Sequence, residues 1–229
     1  YQSNNIRFVK PINSSIININ ENKYNIFNYI KPCNGMLTDN YIKQLINIDR
    51  KTTIKATLVK KCNKYYDTLI NMSKYNNLIK SDEIYVIKEY EKIKDNYLLD
   101  EQYLNHGDIS LNNIIFNDNY SYLIDFDEAT VTTKIYDYAV VFIKIYIDNK
   151  NINRNNIMNI LTKTIPDSNY SVKQYLLIIK FYLCKILLEK FYLHEQKKID
   201  LFSKRQQNDD YSKYICILKA IINNEVEYE

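Results

Sequence analysis

The residues of this chain best suited to chemistry lie close together, in the stretch LNHGDISLNNIIFNDNYSYLIDFDEA that spans 104–129. His106, Asp108, Asn113 and Asp125 fall in two short segments, HGDISLNN and IDFD, on either side of a turn-rich NDNY. NIIF and SYLIDF flank that turn as short apolar runs of strand type, which predicts a small hairpin. Such a hairpin brings the first loop and the IDFD end together. One carboxylate is then placed to accept a hydroxyl proton, while an amide oxygen and a second carboxylate are placed to hold magnesium across a triphosphate. Phosphoryl transfer to a hydroxyl requires that set of groups. Asp and Asn favour turns anyway, so turn chemistry explains each residue singly. It does not explain the Gly-Asp pair, the Asp-to-Asn spacing and the hairpin together. The chain has only 2 glycines and 2 histidines, and Gly107 and His106 are one of each, side by side.

The elements that must position these residues come from a chain of 229 residues, enough for one large domain or two coupled lobes. Hydrophobic residues at 46% and charged residues at 25% are ordinary globular values, so a packed core is expected. Two glycines exclude a Gly-rich phosphate loop within these residues. The net charge of +4 is small and the lysines are scattered among Asp and Glu, so there is no basic stripe and no nucleic-acid partner is expected. The 23 tyrosines go with Asn, Ile and Lys as products of A/T-rich codons rather than as stacking platforms. Cys33, Cys62, Cys184 and Cys216 have neither the paired spacing of a zinc site nor the small secreted frame of a disulfide scaffold. They read as reduced thiols of a cytoplasmic protein. The start YQSNNIRFVK has no apolar signal core. The most apolar stretch, YLLIIKFYLCKILLEKFYL, is interrupted by Lys180, Lys185, Glu189 and Lys190, which predicts a buried helix and no membrane span.

Along the chain, SIININ and YNIFNYI alternate in polarity about an ENK turn between Pro11 and Pro32, which predicts an N-terminal β-hairpin. Helical patterns follow, clearest in LVKKCNKYYDTLINMSKY and in SDEIYVIKEYEKIKDNYL, where Ser81 is the expected cap with Asp82 and Glu83 in the first turn. After the 104–126 break the chain is helical again: KIYDYAVVFIKIYI, NRNNIMNILTKTI, a long segment opened by Ser171, and DYSKYICILKAIINN.

The combination HGDxxxxN…IDFD resembles the Brenner-type motif of the aminoglycoside phosphotransferase and choline kinase superfamily, small-molecule relatives of the protein kinases. Protein kinases usually carry His-Arg-Asp and Asp-Phe-Gly; Gly107 and Asp127 stand at the differing places here, as in the small-molecule enzymes. TKIYDYAVVF resembles that family's Asp-Leu-Ala segment, with Asp137 as its aspartate. VKPI…YNIFNYIKPCNG is similar to its last N-lobe strands, its adenine hinge and the glycine that follows. The likeness runs over nearly the whole chain and is motif-specific at 104–139. It implies an α+β, protein-kinase-like two-lobed fold, with residues 1–32 ending the N-lobe and 33–229 forming a helical C-lobe that holds the catalytic loop at 104–128. It implies Asp108 as catalytic base, His106 as a brace for the loop, and Asn113 and Asp125 as magnesium ligands. Asp127 would approach a second metal or cap the turn, and Asp137 would steady the catalytic loop from a buried position. Backbone groups near Tyr29 and Ile30 would meet the adenine of ATP. The family's nucleotide-binding lysine and its glutamate partner precede the hinge; Lys10 does not fill that place, so an upstream segment is expected.

The implied function is ATP- and Mg-dependent phosphorylation of a small-molecule hydroxyl. Only a brief connection separates Asp125 from Asp137, too short for the segment on which protein kinases dock peptides. Aminoglycosides, as polycations, would want an acidic cleft, which Glu128, Asp209, Asp210 and the NNEVEYE tail could line. Choline would want an aromatic cage. Two alternatives belong to other classes: a spore-coat-type scaffold with a kinase-like body, and a protein kinase or pseudokinase regulator. Oligomeric state is not legible in the sequence.

Overall fold

The computed structural model of the chain describes residues 5–8, 17–19, 22–24, 66–67, 69–71, 81–96, 103–116, 120–147, 157–165, 169–199 and 212–225. Its strands are β1 (Asn5–Phe8), β2 (Ile17–Ile19), β3 (Asn22–Tyr24), β4 (Tyr103–Asn105), β5 (Ile114–Phe116), β6 (Tyr120–Leu123) and β7 (Thr130–Thr132). Its helices are α1 (Ser81–Ile93), α2 (Tyr136–Val141), α3 (Ile157–Thr164), α4 (Val172–Ile199) and α5 (Ser212–Glu225). Short sheets beside a larger helical body make this an α+β fold, as the sequence predicts.

The body is organised around α4, 28 residues long. Its apolar side chains point in every direction around the axis, and a helix of that kind must be covered on all sides. Accordingly α1, α2 and α5 all pack against it. Tyr175, Ile178, Ile179, Phe181, Tyr182 and Leu183 are all buried. At the N-terminus of α4 the Gln174 amide donates to Ser171 Oγ (3.3 Å), and the Ser171 amide donates to Gln174 Oε1 (2.8 Å). This reciprocal capping box is what the Ser-x-x-Gln spacing makes possible. Helix α1 starts at Ser81 itself, with Asp82 and Glu83 in the first turn and Lys92 in the last, charges that complement the helix dipole. It buries Val86, Tyr90 and Ile93 on one face, and Tyr90 meets Phe181 of α4 at 5.9 Å between ring centroids.

Three small sheets sit beside this body. The expected central hairpin is present as β5 and β6, antiparallel with Ile114 opposite Leu123. The N-terminal hairpin is also present, with Ile17 opposite Tyr24. Asn22 and Lys23, expected in its turn, belong to β3 instead; alternation of Asn and Lys with apolar residues fixes strand register only weakly. The rest of the expected second strand, with Tyr29 and Ile30, lies outside the described residues. Two pairings were not foreseen. Strand β1 runs parallel to β6, Asn5 opposite Tyr120, so that the three-stranded order is β1-β6-β5. Strand β4 pairs antiparallel with β7, Asn105 opposite Thr130. The second pairing ties the entry to the HGD loop to the segment after IDFD. Among the described residues no helix is long and apolar enough to cross a membrane.

Candidate active site

The HGD loop leaves β4 and is held from beneath by α2. Asp137, in the first turn of α2, is completely buried and accepts two backbone hydrogen bonds from the loop. The His106 amide donates to Oδ2 and the Gly107 amide to Oδ1, each at 2.9 Å. One carboxylate thus satisfies two successive buried donors, which would otherwise cost their full desolvation. Asn105 adds a second tie: its Nδ2 donates to the Tyr103 carbonyl at 3.0 Å and to the Thr133 carbonyl at 3.1 Å.

His106 is buried and spans the site. Its Nε2 lies 2.8 Å from the Ile124 carbonyl, and its Nδ1 lies 3.3 Å from the Asp108 amide. A carbonyl only accepts and an amide N–H only donates, so the ring carries its proton on Nε2. In that tautomer it braces the residue before Asp125 and the backbone of Asp108 together. Phe126 covers the ring at 4.4 Å between centroids.

Gly107 is required at its place for two reasons. Its φ is +82°, in the left-handed region, and a Cβ there would stand 2.1 Å from the Glu128 carbonyl oxygen. The HGD loop therefore rests directly on the turn that follows IDFD. That turn is closed by the Ala129 amide donating to the Phe126 carbonyl (2.9 Å). It is held to α4 through Lys185, whose ammonium bonds Glu128 at 3.0 Å and Glu189 at 3.3 Å. Burial works against the charge on Lys185, but the two carboxylates outweigh it and hold its pKa above the ordinary lysine value.

Asp108 is half-buried, and both its carboxylate oxygens are engaged. Asn113 Nδ2 donates to Oδ2 at 3.0 Å and to the Asp108 carbonyl at 2.8 Å. Lys144, in the π-helical turn Phe142–Ile147 that continues α2, forms an ion pair with Oδ1. Both bonds of Asn113 use its amide nitrogen, which leaves Oδ1 as the atom able to meet a cation. The Ile124 amide donates to the Asn113 carbonyl at 3.1 Å, so the hairpin returns Asp125 next to Asn113. Asp125 is exposed and has φ 62°, a left-handed conformation that Asp tolerates better than most residues. Asp127 is exposed on the same turn.

The structure thus brings together His106, Asp108, Asn113 and the IDFD turn bearing Asp125 and Asp127. Tyr29 and Ile30 lie outside the described residues. Among the described residues there is no group of three or more His, Cys, Asp or Glu side chains arranged to hold a metal ion. An amide oxygen plus one or two carboxylates, all hard oxygen donors, is instead the partial set that suits magnesium already carried by phosphates.

Asp137→Asn tests the clamp. The amide offers one acceptor and turns a donor toward the other backbone N–H, so a loss of about 1–3 kcal/mol in unfolding free energy is expected. Urea unfolding of the two proteins measures it.

Residues 84–153 match the model of the phosphotransferase enzyme family, APH. By sequence, no curated protein matches the chain. By structure, the chain is similar to a thermostable mutant of aminoglycoside phosphotransferase APH(4)-Ia, at 12% identity and a TM-score of 0.59, covering 98% of this chain and 80% of that one. It is similar to the amicoumacin kinase hAmiN, solved with AMP-PNP and Ca2+, at 15% identity and a TM-score of 0.55, with 96% and 73% covered. It is also similar to choline kinase LicA from Streptococcus pneumoniae, at 15% identity and a TM-score of 0.54, covering 81% of this chain. This is the kinase-like fold of those phosphotransferases. The chain spans 63% of the length of the choline kinase.

Within that fold, Lys144, to which sequence reasoning gave no role, shapes the site, and so does Glu128. Lys144 lies in the helical segment KIYDYAVVFIKIYI, where the sequence gives it no role; its position on the same helical rod as Asp137 is the signal that could have found it. Glu128, one of the acidic residues that could line a cleft for a polycation, is paired with Lys185. Asp209 and Asp210 lie outside the described residues.

Proposed function

We infer that the chain is an ATP- and magnesium-dependent phosphotransferase that moves the γ-phosphate to a hydroxyl of a small molecule. The observation that carries this is the Asp108–Asn113 pair, locked at 3.0 Å beside the hairpin end that returns Asp125. Asp108 accepts the proton of the acceptor hydroxyl as its oxygen bonds the γ-phosphorus. The bond from that phosphorus to the β,γ-bridging oxygen breaks, and ADP leaves. Asn113 and Asp125 would hold magnesium, which when bound neutralises charge on the β- and γ-phosphates. Asp127 lies on the same turn, where it serves a second ion or caps the turn. His106 keeps loop and turn in register, and backbone groups near Tyr29 and Ile30 receive the adenine. The related folds support this reading, since a mutant of APH(4)-Ia was solved with ADP and hygromycin B and hAmiN with AMP-PNP, Ca2+ and Ami. The path from Asp125 to Asp137 is taken up by one turn, β7 and a second turn, which favours a small acceptor over a protein.

The test is MgATP binding by calorimetry, together with ADP release against a panel of aminoglycosides, choline, amino alcohols and sugars. Asp125→Asn keeps a residue that tolerates the left-handed backbone and removes the charge, so MgATP affinity should fall roughly 10–100-fold. A wild-type chain that folds, binds no MgATP and is stimulated by no acceptor would instead be a kinase-like scaffold, and the reading would fail.

A further inference from the structure

We propose that Lys144 is a mobile charge of the site: it holds Asp108 before the acceptor binds, then moves onto the γ-phosphoryl group during transfer. This rests on the phosphotransferase reading above.

The two oxygens of Asp108 are held differently. The Oδ2 bond from Asn113 is part of a fixed frame, since the same amide nitrogen also anchors the Asp108 backbone. Asn113 is buried and begins the hairpin, so that frame cannot open without moving β5. Among the described residues, Oδ1 is held only by the long, flexible side chain of Lys144. A base needs one oxygen for the acceptor hydroxyl, so Oδ1 is the one that must be vacated.

Where the ammonium goes follows from the chemistry. The acceptor oxygen lies about 2.6–3.2 Å from its base. It is also the atom that bonds phosphorus, so the equatorial oxygens of the phosphoryl group pass within a few ångströms of Oδ1. A cation displaced from Oδ1 therefore meets the group in flight with a small swing of its stem. The side chains of Lys144 and Asp108 are 31% and 25% exposed, a partly desolvated setting where a single charge counts for more than on an open surface. The rest of the rod is fixed, because Phe142 and Ile143 are fully buried and Asp137 is clamped to the loop. The π-helical geometry of the Lys144 turn is itself of a kind that recurs at functional sites. One helical rod thus sets the loop from below with Asp137 and supplies a charge to its reacting face with Lys144.

The experiment compares MgADP binding with and without aluminium fluoride, a mimic of the transferring phosphoryl group, in wild type, Lys144→Gln and Lys144→Arg. Wild type should bind MgADP more tightly with the fluoride present. Lys144→Gln should bind MgADP within about twofold of wild type but lose roughly 10–100-fold of the tightening, the worth of one charged hydrogen bond. Lys144→Arg should recover most of it, which a merely structural ion pair would not require. With an acceptor found, kcat of Lys144→Gln falls by the same factor while KM for ATP holds. Tightening that survives in Lys144→Gln, or is absent from a wild type that binds MgADP, overturns the proposal. A wild type that binds no MgADP overturns the phosphotransferase reading instead.

Discussion

Replacing Asp108 with asparagine should slow phosphoryl transfer by roughly 10²–10⁴-fold, the usual worth of a positioned general base. The substitution is nearly isosteric. An asparagine oxygen still accepts the Asn113 amide that Asp108 Oδ2 accepts at 3.0 Å, so the frame of the loop is kept. On the proposed reading, what is lost is the ability to take the acceptor's proton. Asp108 is only half-buried, and the loop is anchored by Asp137 and His106, so thermal unfolding should shift little. Nucleotide affinity is the informative control. Asp108→Asn removes a negative charge and releases Lys144 beside the phosphates, so MgATP binding should hold or tighten. ADP release at saturating acceptor, MgATP calorimetry and a melting curve measure the three properties. Turnover near the wild-type rate would dismiss Asp108 as the base. Turnover and MgATP affinity lost together would place the residue in nucleotide binding instead.

The geometry of the candidate site was legible in the sequence to the extent that its parts are local. HGDxxxxN, the hairpin and IDFD lie within a single stretch, and turn and strand preferences act over such distances. In a chain with 2 glycines, Gly107 marks a backbone position that no other residue fills well, and its φ of +82° against the Glu128 carbonyl gives the reason. The start of α4 after Ser171 and the first-turn acids of α1 were likewise readable from adjacent residues. Long-range pairings were not. The parallel partnership of β1 with β6 joins residues at the start of the chain to its middle, and β4 with β7 closes across the whole stretch from HGD to IDFD. Strands of three or four residues carry too little alternation to announce a partner. Lys144 was missed for a related reason. Periodicity assigns it to a helix, but only the α2 register against the loop turns its ammonium toward Asp108. Glu128 shows the converse: its charge near the site is legible in the sequence, while its pairing with the distant, buried Lys185 is not.

The contact between the two halves of the site also sets the largest structural effect. Gly107→Ala should destabilise the protein by roughly 2–6 kcal/mol, combining about 1–3 for a strained backbone with about 1–3 for overpacking. The new methyl would stand 2.1 Å from the Glu128 carbonyl oxygen and 2.9 Å from its carbon, so one of the two segments must retreat. The loop cannot retreat cheaply, because the Gly107 amide is bonded to buried Asp137. The turn is restrained as well, by the Ala129 amide on Phe126 and by Lys185 on the Glu128 carboxylate. Turnover should therefore fall with stability, since moving the turn moves Asp125 away from Asn113. A double-mutant cycle separates the clash from backbone strain. Lys185→Met frees the turn from α4, and in that background Gly107→Ala should cost at least about 1 kcal/mol less than in wild type. Strain at φ +82° is the same in both backgrounds and cancels. Urea unfolding of the four proteins gives the coupling directly. A coupling of zero would mean that Lys185 does not hold the turn against the loop, and a Gly107→Ala protein within 0.5 kcal/mol of wild type, about the scatter of a neutral surface change, would mean that the loop and turn are not in contact.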